Sequence, residues 1–173
     1  KLLEGSKGIA GEFGHIIAIP GGRTCTCGLK GCLETYVAAR GIRRTAREML
    51  KTTNLESSLN GLKDEEVRVR KVSAAAKAGD PLALKVFENM GTILGRKLAD
   101  LVILFNPKTI ILSGGISKDH ALFLKTAQKH MNDNLFPSFR DTVQLQISEM
   151  EHANAAVLGA AALVFQKLGI EIA

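Results

Sequence analysis

From Glu34 to about Lys51, apolar residues return on one helical face at Val37, Ile42, Ala46 and Leu50, and this spacing predicts an amphipathic helix. A polar connection rich in Ser, Thr and Asn follows over residues 52–62, after which Asp64 opens a second helix with acidic residues in its first turn. Gly79-Asp80-Pro81 restarts the pattern, with Asp80 as N-cap and Pro81 at the first helical position. This third helix is long, runs through Leu104 and stops before Asn106-Pro107, because proline disfavours a helical residue ahead of it. Two cycles of strand and helix come next: a strand over 109–113, a helix near 119–135, a strand over 143–147 and a helix near 154–168. Alternation of this kind predicts an α/β layered domain with parallel strand pairing.

The first 33 residues break this regularity. They are dense in glycine, hold all three cysteines, and read as loops around one short strand at 16–19 that ends at Pro20-Gly21-Gly22. His15, Cys25, Cys27 and Cys32 together offer one imidazole and three thiols, and Cys3His is a closed tetrahedral ligand set for structural zinc. Gly22, Gly28 and Gly31 between the ligands allow the sharp turns that converge them. Isolated cysteines and histidines are ordinarily small buried hydrophobes and satisfied core groups. Three cysteines within eight residues, preceded by Gly-Glu-Phe-Gly-His, are not isolated. Zinc is therefore the expected ligand, and a loop with so little regular structure is expected to depend on it to fold.

Charge and composition add limits. The 173 residues with 46% hydrophobic content suffice for one compact domain. Their longest apolar runs fall well short of the roughly 20 residues that a membrane helix needs. An odd number of clustered cysteines suits metal binding in a reducing compartment better than a disulfide framework, so the expected location is the cytoplasm. The formal net charge is +6, and Arg40, Arg43, Arg44 and Arg47 form a basic stripe along one helical face. Such a stripe reads first as a solvated face opposite the buried one, with phosphate or nucleic-acid contact as the alternative.

Two runs, Gly11-Glu12-Phe13-Gly14-His15 and Cys25-Thr26-Cys27-Gly28-Leu29-Lys30-Gly31-Cys32-Leu33-Glu34-Thr35-Tyr36, resemble the paired motifs of the ROK family of sugar kinases and sugar-responsive repressors. Asn106-Pro107, the run from Ile110 to Ser117 and Ala155-Ala156-Val157-Leu158-Gly159-Ala160-Ala161 extend the resemblance over essentially the whole chain. The resemblance implies an actin-like fold of the hexokinase superfamily, in which two ribonuclease H-like lobes close on ATP and a hexose. This chain is then a single C-terminal lobe, with a zinc and sugar loop over 1–33, a helical segment over 34–105 and a nucleotide-side α/β segment over 106–173.

The same resemblance implies that Glu12 and Glu34 accept hydrogen bonds from sugar hydroxyls, and that His15 places one ring nitrogen on zinc and the other towards the sugar. Gly114 and Gly115, at the carboxyl end of a strand, are implied to lie against the adenosine of ATP. The family's phosphate loops and catalytic aspartate lie upstream of the zinc motif, so no catalytic residue and no N-terminal lobe are expected in this chain. Asn132-Asp133-Asn134 and the run from Glu151 to Ala156 carry similar letters, but their positions read as a helix end and a helix start. The implied parent is an ATP-dependent hexose kinase of glucokinase type requiring Mg²⁺. The alternative is a sugar-sensing repressor that binds DNA through a domain outside this chain. Self-association into dimers or tetramers is a further expectation from the family.

Overall fold

The computed structural model describes residues 2–150 and 152–169. Among the described residues, six α-helices and two strands follow a loop region: α1 (Glu34–Val37), α2 (Ala39–Thr52), α3 (Val69–Lys77), α4 (Pro81–Phe105), β1 (Thr109–Leu112), α5 (Leu124–Asp133), β2 (Gln144–Ile147) and α6 (His152–Lys167). The central element is α4, against which α1, α2, α3 and α5 all pack. Its buried face carries Leu82, Val86, Phe87, Met90, Leu94, Leu98 and Val102, which join Ile42, Ala46, Val72, Phe123 and Met131 in one core.

Local chemistry sets the limits of α4. Asp80 caps it by accepting from the Ala83 backbone N–H at 2.9 Å, and Pro81 takes the first helical position. Asn106 ends it in the left-handed conformation (φ 44°), a backbone state that asparagine tolerates better than most residues, immediately ahead of Pro107. The parallel pairing of the two strands is present, with Thr109 opposite Gln144 and Leu112 opposite Ile147, and the crossover between them contains α5.

Four expectations need correction. The strand at 16–19 is reduced to a single bridge between Ile17 and Cys32, because Ala18 and Ile19 both donate to the one carbonyl of Gly31 instead of extending a ladder. The helix expected over 34–51 is broken at Ala38, whose backbone is extended, and Gly41 fits so closely under this break that a Cβ there would lie 2.6 Å from the Tyr36 carbonyl carbon. The helix expected from Asp64 begins only at Val69. Asp64 instead pairs with Lys51 at 2.8 Å, and the Glu66 carboxylate accepts from the Lys63 N–H at 2.9 Å, which holds a turn there. The helix expected from Asp119 is preceded by 3₁₀ turns over Gly115–Leu122, and α5 starts at Leu124.

Not all apolar surface is covered. Ile111 on β1, Leu104 and Phe105 at the end of α4, and Val157, Leu158, Val164 and Leu168 on or just after α6 are exposed. No helix among the described residues is long and apolar enough to cross a membrane.

Asp80 also ties the 52–62 connection to α4. Its carboxylate accepts from the hydroxyls of Ser57 (2.9 Å) and Ser58 (2.8 Å) and from the Ser58 N–H (2.6 Å). Burial pushes this carboxyl up, but the Ala83 and Ser58 donors outweigh that effect and hold it below the usual carboxylate range. A depressed folded-state pKa stabilises above the unfolded value and loses that stabilisation as pH falls through the folded one. Asp80→Ala is thus expected to cost about 3 kcal/mol at neutral pH, given one cap and several bonds to a charged acceptor. In urea titrations the gap between wild type and variant should be full above about pH 4 and close at lower pH. A gap independent of pH would contradict the role of the ionised carboxylate.

Candidate functional site

The loop before α1 folds so that its four metal-seeking side chains meet. Residues Phe13–His15 form one 3₁₀ turn, which sets the His15 ring against the next loop. Cys25 and Cys27 lie in a tight reversal closed by Cys25 N–H to Leu29 carbonyl (2.8 Å) and Gly28 N–H to Cys25 carbonyl (3.1 Å), bridged at its base by Thr24 and Lys30. Cys32 follows Gly31, whose φ of 90° and contact with the Ile19 carbonyl leave no room for a Cβ.

One ligand atom from each of His15, Cys25, Cys27 and Cys32 lies within 4.8 Å of all the others. The Cys27 and Cys32 sulfurs are 3.6 Å apart, and the Cys25 sulfur is 3.6 Å from His15 Nδ1. A tetrahedral zinc with Zn–S bonds of about 2.3 Å has S···S edges of about 3.8 Å and slightly shorter N···S edges. The donor set therefore fits zinc in chemistry, and at these two edges in size. All three cysteines are free thiols, with Cys25 and Cys32 buried and Cys27 exposed.

Proton affinities within the cluster diverge. Burial, then the neighbouring thiols, push Cys32 up to about 12, whereas the Leu29 backbone N–H draws Cys27 below its ordinary value. The contact with Cys25 raises the His15 imidazole; burial opposes this, and the Glu34 and Glu12 carboxylates add to the rise. A metal at this cluster would therefore displace a proton held firmly on Cys32 and one held less firmly on Cys27.

Two carboxylates flank the imidazole. Glu12 Oε2 is 3.6 Å from His15 Nε2, and Glu34 Oε1 is 3.9 Å from Nδ1. Glu34 also accepts from the Cys25 thiol at 2.9 Å. Beside it is a cavity of about 170 Å³ lined by Cys25, Thr26, Glu34, Thr35, Arg40 and Arg44 among others. Glu12 and His15 do not line that cavity. Gly114 and Gly115 belong to a different part of the fold, at the carboxyl end of β1, where the chain enters 3₁₀ turns packed on α3, α4 and α5. Gly114 has φ 109°, and a Cβ on either glycine would meet nothing within 4 Å, so this turn borders open space.

The pattern of residues did not disclose Arg23. Its side chain, 9% exposed, donates to the carbonyls of Thr35 (2.8 Å) and Gly41 (3.2 Å), to Thr45 Oγ1 (2.9 Å) and to Glu48 Oε2 (2.5 Å). It also stacks 4.6 Å from the centre of the Tyr36 ring, whose hydroxyl accepts from the Arg23 backbone N–H at 2.9 Å. Arg23 thus satisfies carbonyls beside the break between α1 and α2 and fastens the cysteine loop to both helices. Partial burial would raise the Glu48 carboxyl, yet Arg23 and Arg44 outweigh this and lower it. A loop arginine carries no local signal of such a role, since its partners are 12 to 25 positions away.

A helical lobe with a parallel strand pair and a Cys3His cluster beside paired carboxylates defines a class in which a metal-competent loop borders a polar pocket. The chain belongs to the ROK family, whose family model matches residues 1–167. It is 34% identical over 170 residues to a glucokinase of Thermotoga maritima, covering 97% of this chain and 53% of that protein. It is also 32% identical over 164 residues to an N-acetylglucosamine repressor of Shigella flexneri, covering 95% of this chain and 39% of the repressor. Among solved structures, a ROK-family glucokinase from Streptomyces griseus in complex with glucose and AMPPNP superposes with a TM-score of 0.81 at 33% identity, over 94% of this chain and 54% of that one. The fold is accordingly that of the actin-like sugar kinases. The chain spans about half the length of the glucokinases it matches.

Proposed function

We propose that this chain is the zinc-organised, sugar-binding lobe of an ATP-dependent hexose kinase of glucokinase type. The observation that carries this reading is the flanking of a zinc-competent Cys3His cluster by the Glu12 and Glu34 carboxylates, on either side of the His15 ring. His15, Cys25, Cys27 and Cys32 would hold Zn²⁺, which supplies a fixed anchor; with four protein ligands it has no open position for substrate.

His15 Nδ1 faces the thiols, so metal on that atom leaves Nε2 as an N–H donor directed to the Glu12 side. With Cys25 deprotonated to hold the metal, the thiol would no longer donate to Glu34. The Glu34 carboxylate would then be available to another donor, and a sugar hydroxyl is one of suitable chemistry. Gly114 and Gly115 would face the adenosine of ATP, whose phosphates carry Mg²⁺. The general base that takes the hydroxyl proton would come from polypeptide outside this chain. Exposed apolar residues on β1, α4 and α6 are consistent with further polypeptide packing there.

A second reading is a sugar-sensing repressor, supported by the 95% coverage of this chain in the match to the repressor. The two share this lobe, and they part on whether the complete protein turns over ATP or binds operator DNA.

The test is isothermal titration of glucose into the zinc-loaded chain, with Glu12→Gln and Glu34→Gln beside it. Weak saturable binding is expected, reduced about tenfold or more by either variant, because each removes a charged acceptor. Zinc content should stay at one per chain in both. Zinc-loaded protein that binds neither glucose nor other hexoses would remove the sugar reading and leave the metal centre standing.

A further inference from the structure

The basic stripe of α2 is divided by its surroundings. Arg44 pairs with Glu48 at 2.8 Å, and Lys51, further along the helix, pairs with Asp64 at 2.8 Å. Arg40, Arg43 and Arg47 turn instead into a cleft of about 570 Å³ between α2 and the start of α3, where Arg68 joins them from the other wall. Glu65 is the one acidic residue in that lining. None of these four arginines forms an ion pair among the described residues, and the buried Nε of Arg47 has no hydrogen-bond partner. Glu65 in the lining and Asp64 near Arg47 offset this charge only in part; like charges held together repel, and a buried guanidinium nitrogen without an acceptor carries a desolvation cost.

The backbone adds to the same potential. Arg68 is the N-cap of α3 and gives it no side-chain cap. Lys71 and Val72 donate back to the Arg68 carbonyl, whereas the Val69 and Arg70 N–H groups have no backbone acceptor among the described residues. Free N–H groups at a helix N-terminus favour an anion, and guanidinium forks match phosphate oxygens two at a time.

We propose that this cleft binds a small organic phosphate, an ester that joins at least two negative charges to a hydroxyl-bearing body. The arginines converge on one concavity rather than spreading along a track, which favours a compact anion over a polymer. Glu65 would repel a continuous polyanion but can accept from a sugar or nucleoside hydroxyl. The volume falls within the range of roughly 300–1,000 Å³ typical of small-ligand clefts. Arg40 also lines the smaller cavity beside Cys25 and Glu34, so occupancy of the cleft touches a residue shared with the metal-centre side.

Isothermal titration of the zinc-loaded chain at about 150 mM salt, where surface charge is screened beyond about 8 Å, tests it with three probes. These are fructose 1,6-bisphosphate, inorganic pyrophosphate and a short single-stranded oligonucleotide. The bisphosphate is expected to bind at one per chain and more tightly than pyrophosphate. Binding should weaken at least about tenfold in Arg43→Gln/Arg47→Gln, through the loss of charge-assisted bonds. Arg40→Gln/Arg68→Gln is the second variant, since both residues are exposed and neither packs in the core. Arg96→Gln, an exposed change on α4 outside the cleft, should leave binding unchanged.

Absence of binding by both small phosphates overturns the proposal. So does equal weakening by Arg96→Gln, which would mean diffuse attraction. Pyrophosphate binding as tightly as the ester would remove the organic part of the assignment. An oligonucleotide that binds and is not displaced by the ester would make the face a nucleic-acid surface instead.

Discussion

Stripped of zinc by a strong chelator, or carrying Cys32→Ser, the chain is expected to open along residues 9–33 while its helical core stays folded. Cys32 is fully buried and sits 3.6 Å from Cys27, so serine puts a hard, weakly ligating oxygen where the metal needs a thiolate. Loss of an outer-shell partner costs a zinc site about 10–100-fold in affinity, and loss of a ligand itself should exceed that. Structural zinc contributes on the order of 10–16 kcal/mol of apparent binding free energy in small zinc domains. Besides the metal, the Arg23 anchor and a few backbone bonds hold this loop, and neither converges its ligand side chains. Before residue 25, Phe13 is the one described residue that packs against the main core, and it is only partly buried. The core around α4 draws on residues of α2 to α5 and does not need the loop.

Trypsin provides the readout. The Arg23 side chain is 9% exposed and engaged by Thr35, Gly41, Thr45 and Glu48, so cleavage after it should occur only in the zinc-free protein or the variant. Far-ultraviolet dichroism should change little over the same treatment. Protection at Arg23 without zinc, or one tightly held zinc in Cys32→Ser, would show that the metal is not the staple.

How far these features could be read in advance depends on the range of the interactions that set them. The cluster of His15 with the cysteines was legible because ligand chemistry and glycine-permitted turns lie within 18 positions. The limits of α4 were legible for the same reason, since Asp80, Pro81, Asn106 and Pro107 act on their own neighbours. The break at Ala38 was not. Apolar spacing continues through it, and what imposes it is the approach of Gly41 to Thr35 and Tyr36, with Arg23 reaching in from another loop. The start of the α3 helix was misplaced because acidic residues that could serve a first helical turn were taken by Lys51 and a local turn. The basic stripe showed only that charges share a face. Which of them meet Glu48 and which line a cleft is decided by α3, a separate element.

Gly95→Ala should destabilise the fold although alanine is the better helix former. Propensity alone would favour the change by about 1 kcal/mol in the middle of a helix. Packing opposes it: a Cβ at Gly95 would overlap the Ala127 carbonyl oxygen and lie 2.9 Å from both His130 Cβ and the Met131 amide nitrogen. Two of these three neighbours are backbone, so no side-chain rotation relieves the contact and α5 must shift away from α4. Gly91, one turn earlier, meets the Phe123 carbonyl oxygen and Thr126 Cβ, each at 2.9 Å, which makes the pair a groove shaped for α5. Overpacking in a well-filled core costs about 1–3 kcal/mol and occasionally more, so a net loss of about 2 kcal/mol is expected for alanine, and a larger one for Gly95→Val. Gly159→Ala is the opposite case, since a Cβ on this α6 glycine meets nothing within 4 Å, and it should be neutral or stabilise by about 0.5 kcal/mol. Urea titration of the three variants separates the two effects. Stabilisation by Gly95→Ala would mean that α4 and α5 do not approach as closely as this groove requires, and the placement of the Gly114-Gly115 turn, which leads into α5, would have to be reconsidered with it.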